Sequence, residues 1–404
     1  MNIAIIGGGA AGMITAYLLD QKGHAVEVFE KTDKLGGNIR TLNKNVSADS
    51  KYEKLYLEGG VIEFSNAFVQ FKSLLDKLHV PHENVEIGTG VFLKNGNYYL
   101  STILAESNFK GIGLIKEKVK LLRLYLTTLL VGFKLWRLNP ELCRKMSLND
   151  IISDKTTATK WLRLFMMYSY STDFKKLSDF SAELALHNIQ NYMLSGWFRI
   201  CGGVYTYIEK ILDVYKGKVH FNLAPKKVIR TEEKVVLEFE NGEQNEFDKV
   251  VFAVPPHKIL SLINDPSDDE VECFSNWKSN NIETIIHKDN SLYSNYPIVQ
   301  PSEFDFFETV ENWGYNAILN QVCGIKSKEH FYLAYNMESQ IARKNIIHKA
   351  KHETPLYTQK AIESREKIKT INGSNNTFFA GAWLADGLHE GATISAQRIS
   401  ELIK

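Results

Sequence analysis

The sequence predicts an α/β fold in which a Rossmann-like domain, built on a parallel sheet, carries an inserted mixed α+β domain. Three segments predict it: the opening run MNIAIIGGGAAG, the segment DKVVFAVPP at 248–256 and the segment NTFFAGAW at 376–383. Each contains a short apolar run that stops at glycine or proline. Continuous apolar runs of this length are typical of strands that are buried on both faces of a parallel sheet.

The composition fits a globular protein of roughly two or three domains. Hydrophobic residues make up 44% of the 404 residues, and 48 Lys and Arg against 47 Asp and Glu leave a net charge of +1. This balance gives no general electrostatic reason to expect a nucleic-acid partner. The four cysteines show no CxxC spacing, so we expect neither a metal site nor a disulfide framework. A strand pattern that begins at Asn2 leaves no room for a secretory leader, which predicts a cytoplasmic location.

The first 30 residues predict a βαβ unit. Residues 2–6 read as a strand, residues 11–22 as a helix, and residues 25–29 as a second strand. Glu30 ends the second strand 18 residues after Gly12, where a carboxylate can accept hydrogen bonds from a ribose diol. The arrangement indicates a dinucleotide site.

Glycines shape the turn of this unit. In such a turn Gly7 makes the tight bend, Gly9 admits a pyrophosphate, and Gly12 lets the helix pack closely on the strand. Ala10 and Ala11 stand between these glycines and belong to the same predicted site. Glycine-rich turns also occur without ligands, but the flanking strands and helix favour the nucleotide.

Two further glycine pairs follow, and they carry a resemblance. KLGGNIRT at 34–41 places Gly36 and Gly37 where the chain can pass a pyrophosphate from the other side, and YLEGGVIEF at 56–64 adds a third pair. The run from GGGAAG through EKTDKLGG to LEGGVIEF resembles the N-terminus of the flavin-containing amine oxidoreductases, which include monoamine oxidase, protoporphyrinogen oxidase and phytoene desaturase. The resemblance implies FAD as the cofactor.

The end of the chain resembles the same family. In that family the segment matching 376–403 runs along the flavin, and its closing helix points its N-terminus at the isoalloxazine ring, where the helix dipole stabilises negative charge. Gly391 and Ala392 match the small pair at this helix. The sequence departs from the family after Gly381, where Ala382 and then Trp383 stand in place of an acidic residue.

The middle of the chain extends the resemblance. FRICGGVYTYIEKI at 198–211 matches a glycine pair before a helix, and the family's use of a backbone group to hold adenine falls on Val228. WKSNNIETIIHKDNSLYS, HFYLAYNMES and GAWLADGLHEG are similar to a bacterial branch of predicted FAD-binding oxidoreductases, whose members often accompany cyclopropane-fatty-acid-synthase-like proteins. Some amine oxidases attach FAD through a cysteine shortly before the closing motif; because Cys323 lies well upstream, we expect non-covalent FAD.

The residues and the resemblance together give one predicted cofactor site and one division of the chain. We expect an FAD-binding domain from residues 1–66, 196–265 and 366–404, and a substrate-binding domain from the inserts 67–195 and 266–365, with the substrate between them. The predicted FAD-binding residues are Gly7, Gly9, Ala10, Ala11, Gly12, Glu30, Lys31, Gly36, Gly37, Asn38, Gly59, Gly60, Val61, Val228, Gly381, Trp383, Gly391 and Ala392.

The chemistry expected from flavin is the acceptance of a hydride. A GTG at 88 and a GIG at 111 lack the third glycine of a second nucleotide site, so an oxidase or desaturase that passes electrons to oxygen or a quinone-like carrier is favoured over a reductase. His389 and Glu390 are the first candidates for catalytic residues, because the resemblance places their loop near the ring. The alternative for Glu390 is that it caps the closing helix. His287, at the end of the predicted strand IETIIH, is a further catalytic candidate whose alternative is a surface position.

One segment stands apart from this site. Residues 110–137 carry seven basic residues and one acidic residue among Leu, Tyr, Phe and Trp. The segment could lie in a membrane interface, with its apolar face down and its cations toward anionic headgroups, giving a peripheral contact on the inner face of the membrane. The favoured alternative is a pair of helices packed over the substrate domain.

The function expected is therefore an FAD-dependent oxidoreductase that takes hydride from an amine or from a small apolar or lipid-like substrate. A flavin-dependent fatty-acyl isomerase or desaturase is one alternative. A non-catalytic lipid- or protein-binding relative is another, because Rab GDP-dissociation inhibitors share the fold, and a fold alone does not establish catalysis. The sequence predicts no oligomeric state.

Overall fold

A computed structural model describes residues 1–310 and 312–404. The α/β class is confirmed, with four sheets and helices around them. The strands are β1 Asn2–Ile6, β2 Ala25–Phe29, β3 Phe64–Ser65, β4 His82–Val85, β5 Thr89–Phe92, β6 Tyr98–Leu100, β7 Trp197–Ile200, β8 Lys218–His220, β9 Lys227–Arg230, β10 Val235–Glu238, β11 Gln244–Phe247, β12 Lys249–Phe252, β13 Lys278–His287, β14 Phe304–Glu308, β15 Trp313–Ile318, β16 Tyr332–Tyr335, β17 Ile346–Leu356 and β18 Thr377–Phe379.

The helices of the described chain follow the same order. They are α1 Ala10–Gln21, α2 Val69–Lys77, α3 Thr102–Asn108, α4 Gly111–Trp136, α5 Leu148–Ile151, α6 Thr157–Tyr170, α7 Ala182–Asn191, α8 Thr206–Val214, α9 Ile259–Leu262, α10 Asp268–Phe274, α11 Leu319–Val322, α12 Gln359–Ile371 and α13 His389–Leu402.

Five parallel strands form one sheet, in the order β18-β12-β1-β2-β8. β1 lies at its centre, where Ile3 pairs with Val26 on one side and Lys249 on the other. Ile3, Ala4 and Ile5 have no exposed surface, as expected of a strand covered on both faces. Because parallel strands end at the same edge, the turns after β1, β12 and β18 come together there.

The second large sheet has seven strands in the order β17-β13-β16-β15-β14-β5-β6 and is mostly antiparallel. All its strands belong to the two predicted inserts, and all strands of the parallel sheet belong to the three predicted nucleotide-binding segments. A small sheet, β3-β7-β4, does not follow this division, because β4 lies in the first insert. The domain boundaries stay a prediction.

Residues 110–137 differ from the helix pair that we expected. Almost all of them form one continuous helix, α4, of 26 residues. The only glycine within 114–136 is Gly132, and the helix continues through it. α4 packs on α6 and α7 of the first insert. None of the helices in the described part of the chain is both long enough and apolar enough to cross a membrane.

Candidate active site

A cavity of about 730 Å³ lies between the parallel sheet and the seven-stranded sheet. It has two parts with different linings. The first, which we call the glycine end, is formed by the turn after β1, Glu30 and the glycine pair 36–37. The second, which we call the aromatic end, is lined by the rings of Tyr168, Tyr170, Trp197, Tyr315 and Tyr357.

The glycine turn after β1 leaves no room for side chains. Gly7 has φ +106°, and a Cβ there would lie 2.6 Å from the Ala253 carbonyl oxygen. A Cβ at Gly12 would lie 2.0 Å from the Gly7 carbonyl oxygen. Both distances are below any normal contact, so glycine is required for β1, α1 and β12 to meet here.

Two loops approach each other through backbone alone at the mouth of α1. A Cβ added to Gly37 would meet the Gly9 Cα at 3.0 Å, and the Gly36 amide donates to the Gly8 carbonyl oxygen at 2.8 Å. Gly9 is the N-cap of α1, and no side chain of the described residues caps that helix. The first amide groups of α1 are therefore available to an anion in the cavity.

Glu30 closes the glycine end beneath this turn. Its Oε2 accepts from the Gly8 amide at 2.9 Å, and its Oε1 accepts from the amide and the hydroxyl of Thr32 at 2.9 and 2.8 Å. The residue lines the cavity and is only 7% exposed. A carboxylate oxygen has two lone pairs, so Oε2 can still accept from a ligand hydroxyl.

Cations outnumber carboxylates around the glycine end. It is lined by four cations, Lys31, Lys34, Arg40 and Lys258, and by two carboxylates, Glu30 and Glu353. Burial acts to raise the pKa of Glu353, but hydrogen bonds from His257 at 2.9 Å and from Lys258 outweigh it and lower the pKa to about 2. The carboxylate thus stays charged, and the remaining positive charge suits phosphate groups.

The two ends join at the glycine pair 59–60. His352 Nε2 lies 2.9 Å from the Gly59 carbonyl oxygen and 2.9 Å from Thr284 Oγ1. Because a carbonyl oxygen can only accept, Nε2 carries the hydrogen. Burial lowers the pKa of His352 to about 4, so the ring is neutral near pH 7. His352 therefore fixes the backbone that leads into Gly60.

The loop before α13 forms the other wall of the junction. Asp386 caps α13: its Oδ1 accepts from the Leu388 and Gly391 amides, each at 2.8 Å, and its Oδ2 accepts from the Tyr192 hydroxyl at 2.7 Å. Next to Gly381 lies Trp383, which is 3% exposed and whose Nε1 has no hydrogen-bond partner among residues 1–310 and 312–404. An indole N–H in this state is available as a donor to a ligand.

His389 lines the cavity and Glu390 does not, and the catalytic roles expected for them stay predictions. The His389 ring lies among Phe64, Phe71 and Tyr207, with ring centroids 5.0 to 6.1 Å apart, and burial lowers the pKa of His389 to about 4. The Glu390 carboxylate accepts from the Gln70 and Phe71 amides at 2.9 Å each, so it caps α2 rather than α13 and does not face the cavity.

His287, the further catalytic candidate, does not line the cavity. Its Nδ1 accepts from the Asp289 amide at 3.1 Å, and its Nε2 donates to Asn316 Oδ1 at 2.7 Å. The ring stacks on Tyr332 and is fully buried, so His287 lies neither in the cavity nor at the surface. Thr284, earlier on the same strand, lines the cavity instead.

Most of the residues predicted for the cofactor line the cavity, and four do not. Gly12 and Gly391 do not line the cavity; a Cβ at either would collide with the turn or loop that does. Gly59 does not line it either, although the next residue, Gly60, does. Val228 is fully buried and does not line the cavity, and its carbonyl oxygen accepts from the Asn264 amide at 3.0 Å, so the geometry gives no support to the adenine contact expected there. Ala224 lines the cavity in this region.

The aromatic end contains one buried carboxyl group. Glu63 is 8% exposed, and its Oε1 accepts from the Tyr168 hydroxyl while its Oε2 has no partner among the described residues. Burial raises the pKa of Glu63 to about 8, and the nearby Glu303 acts in the same direction. The Tyr168 ring lies 5.0 Å from that of Tyr315, which also lines the cavity.

A second aromatic pair in the cavity lining is bonded to the loop before α13. The rings of Tyr170 and Tyr357 are 5.4 Å apart. The Tyr170 hydroxyl donates to the Asp386 carbonyl oxygen at 3.0 Å, and the Tyr357 hydroxyl donates to the Gly387 carbonyl oxygen at 3.2 Å. Both rings are thus held against the loop that carries the helix cap.

Sequence analysis missed the residues of the aromatic end. Tyr168 and Tyr170 stand two apart in the last turn of α6, in the segment WLRLFMMYSYS, where no motif distinguishes them from core residues. Glu63 follows the glycine pair 59–60 by three residues. A charged residue inside the apolar run VIEF is the one local signal that could have identified it.

Comparisons with known proteins agree with this geometry. The family described as flavin containing amine oxidoreductase matches residues 10–288. Among solved structures, wild-type putrescine oxidase bound to putrescine is 15% identical, with a TM-score of 0.70 over 100% of this chain and 99% of that one. A CLA-producing fatty acid isomerase from P. acnes is 15% identical, with a TM-score of 0.69 over 100% and 98% of the two chains. At these identities the likeness shows the fold.

Curated relatives match over short segments. A 4,4'-diapolycopen-4-al dehydrogenase from Metabacillus indicus is 54% identical over 39 residues, which is 10% of this chain and 8% of that protein. A flavin-dependent L-tryptophan oxidase from Lentzea aerocolonigenes is 46% identical over 40 residues, again 10% of this chain and 8% of the relative. The matches thus span less than a tenth of the length of either relative.

Proposed function

The chain belongs to the family of flavin-containing amine oxidoreductases, an FAD-dependent class of oxidoreductase, and on that premise we propose that it oxidises an organic amine whose cationic group is held by Glu63. The observation that carries the proposal is the Glu63 carboxyl group, buried in an aromatic wall of the cavity with one oxygen free of protein partners among the described residues.

The residues of the glycine end fit FAD. Backbone fills the space that side chains would take at Gly7 and Gly37, the α1 N-terminus has no side-chain cap among the described residues, and the lining carries excess positive charge. These features suit a pyrophosphate. The residues that would hold the cofactor are Gly7, Gly9, Ala10, Ala11, Glu30, Lys31, Gly36, Gly37, Asn38, Gly60, Val61, Gly381, Trp383 and Ala392.

When bound, FAD supplies the acceptor for a hydride and its electron pair. The chain supplies position and electrostatics. Glu30 would accept hydrogen bonds from the ribose, and the α13 N-terminus, aligned by Asp386, would favour negative charge near the ring. His352 has the role of a positioning residue, because it is neutral and holds the Gly59 carbonyl oxygen.

Glu63 sets the substrate class that we propose. It follows Gly60 by three residues, so the carboxyl group lies within reach of a small molecule whose other end is at the junction. A cation that enters this apolar site restores the charged form of the carboxylate and pairs with it, whereas a neutral substrate gains no such attraction. Tyr168 and Tyr315 provide aromatic faces that also favour a cation.

A second candidate is the oxidation or isomerisation of an acyl chain. One observation favours it: α4, which exposes a row of apolar side chains, packs on α6, and the last turn of α6 forms part of the cavity wall. In this alternative the aromatic end receives hydrocarbon and Glu63 stays protonated, since the pKa of Glu63 is about 8.

A panel of substrates distinguishes the two candidates. The holoenzyme is mixed anaerobically with linear monoamines and diamines, with the corresponding alcohols, and with unsaturated fatty acids, and bleaching of the flavin absorbance is recorded. We expect reduction by amines alone. Bleaching by fatty acids, or their isomerisation, without any response to amines would replace the proposal by the second candidate.

The same assay on Glu63→Gln connects the result to the site. We expect a KM for the amine about 10- to 100-fold higher, from the loss of a charge-assisted interaction of about 1.5 to 2.7 kcal/mol. Glu86→Gln, a neutralisation at an exposed position, is the matched control. An unchanged KM in Glu63→Gln would remove Glu63 from the site even if amines are substrates.

A further inference from the structure

α4 presents an uncovered apolar face along its whole length. One side of the helix is buried through Leu121, Leu124 and Leu135. The opposite side carries nine apolar side chains, each at least 54% exposed, at intervals of three and four residues except for one adjacent pair, 129–130. We call this set the apolar stripe: Ile112, Ile115, Val119, Leu122, Leu126, Leu129, Leu130, Phe133 and Trp136. Single exposed apolar residues are common, but a continuous row marks an interaction surface.

Cations flank the apolar stripe. Lys116, Arg123 and Lys134 are exposed and stand seven and eleven residues apart, which places them in one line along an edge of the stripe. The acidic residue of the helix, Glu117, is turned inward, where it accepts from the Tyr98 hydroxyl at 3.0 Å and lies 3.8 Å from Lys120. On the exposed side of α4, the charged residues are therefore all cations.

This charge pattern selects the partner. A second copy of α4 would bring its own line of Lys116, Arg123 and Lys134 against the first, with no exposed acidic residue on either helix to offset the repulsion. An anionic lipid surface offers apolar depth to the stripe and negative headgroups to the flanking cations. The helix, about 39 Å long at 1.5 Å per residue, would lie in the plane of the surface.

We propose that α4 docks the protein on an anionic membrane surface, with the apolar stripe inserted at the headgroup boundary. The inference does not depend on the amine substrate. It has a structural consequence for the cavity, because α4 packs on α6, and the last turn of α6 carries Tyr168 and Tyr170 of the aromatic end. The docked face and the substrate end of the cavity thus belong to one helical layer.

Co-sedimentation with vesicles tests the proposal. The holoenzyme is mixed with phosphatidylcholine vesicles with and without about one third phosphatidylglycerol, at low and high salt. We expect sedimentation with the anionic vesicles and partial release by salt, since attraction between the cations and the headgroups is screened. No sedimentation with anionic vesicles at low salt would overturn the proposal.

Two variants separate the apolar and charged contributions. Leu122→Glu with Leu129→Glu should abolish sedimentation, because both positions are exposed and the charges would have to enter the interface. Lys116→Glu, Arg123→Glu and Lys134→Glu together should lower the partition coefficient about 100-fold or more, at about fivefold per cation lost. The matched control changes three exposed lysines elsewhere, Lys326, Lys328 and Lys344, to Glu and should bind as the wild type does.

Flavin content and circular dichroism establish that each variant is folded. The proposal fails if the control variant loses binding as strongly as the α4 variants, since net charge alone would then explain it. It also fails if the wild type is a dimer in light scattering that Leu122→Glu with Leu129→Glu converts to a monomer without any effect on vesicles, since the stripe would then be a contact between copies.

Discussion

The two ends of the cavity are built from different materials. At the glycine end, the surface at the turn after β1 and at its neighbouring loop is backbone, since Gly7, Gly9 and Gly37 have no Cβ atoms. At the aromatic end it is side chain, with rings that come from α6, β7, β15 and the residues after β17. A backbone site depends on a short local pattern, whereas a side-chain site depends on how distant segments pack. In the proposed function, the backbone site binds the cofactor and the side-chain site selects the substrate.

The largest effect of a single substitution is expected at the glycine end. Gly12→Ala places a Cβ 2.0 Å from the Gly7 carbonyl oxygen, so β1 and α1 must move apart and the α1 N-terminus loses its position. We expect loss of bound flavin and a cost of about 3 kcal/mol or more in the free energy of unfolding. The flavin-to-protein absorbance ratio and a urea titration measure both.

Gly132→Ala is the control for that variant. A Cβ at Gly132 meets no other described atom within 4 Å, and the residue lies inside α4. Alanine there should stabilise the helix by about 0.5 to 1 kcal/mol and leave flavin content unchanged. Equal flavin content in Gly12→Ala and Gly132→Ala would mean that the turn does not hold the cofactor.

Glu30→Ala should weaken FAD binding without unfolding the protein. It removes the proposed acceptor for the ribose and also the partner of the Gly8 amide. We expect a cost of about 1.5 to 3 kcal/mol, or a Kd for FAD about 10- to 150-fold higher, by fluorescence titration of the apoprotein. An unchanged Kd would show that the ribose is bound elsewhere.

At the aromatic end, the pH dependence of the amine KM reports on Glu63. Because the pKa of Glu63 is raised to about 8, the carboxyl group is mostly neutral at pH 6 and becomes charged as the pH rises. A cationic amine should therefore bind better with rising pH, with KM falling by up to about tenfold per unit below the pKa. In Glu63→Gln the profile should be flat over this range. A wild-type KM that rises between pH 6 and 8 would contradict the assignment.

The smallest effect is expected at His389, which the sequence analysis named as a candidate catalytic residue. His389→Phe keeps an aromatic ring among Phe64, Phe71 and Tyr207 and removes an Nε2 that has no partner in the described part of the chain. We expect the rate of anaerobic flavin reduction to change by about threefold at most, since a general base would contribute about 100-fold or more. A hundredfold slower reduction would restore His389 as a catalytic residue.

Part of the site could be predicted from the sequence, and part could not. The turn at Gly7, Gly9 and Gly12, together with Glu30, could be predicted because strand, turn and helix are neighbours in the chain. Glu390 could not, because its carboxylate caps a helix that begins more than 300 residues earlier, and only the packing of α13 on α2 brings them together. Whether a side chain faces the cavity depends on the neighbouring elements, as the different positions of Thr284 and His287 on β13 show.

The basic segment, residues 110–137, is another case in which the sequence alone could not decide the structure. Its basic residues among apolar ones were visible in the sequence, and they fitted both a membrane-interface segment and a packed helix pair. The structure has a single helix instead of a pair, and its buried residues Leu121, Leu124 and Leu135 fall on one continuous side. Which face is left uncovered is a property of the packing, not of the pattern.

The central claim is that the glycine end binds FAD and the aromatic end binds the amine. The most direct test is the reductive half-reaction, measured on the flavin-loaded fraction of the wild type, Glu30→Ala and Glu63→Gln over a range of amine concentrations. We expect Glu30→Ala to lower flavin occupancy but to keep the wild-type concentration for half-saturation by amine, and Glu63→Gln to keep full occupancy but to need about 10 to 100 times more amine. If Glu63→Gln loses flavin, or if Glu30→Ala shifts the saturation by amine as strongly as Glu63→Gln, the two ends do not divide the work and the account is wrong.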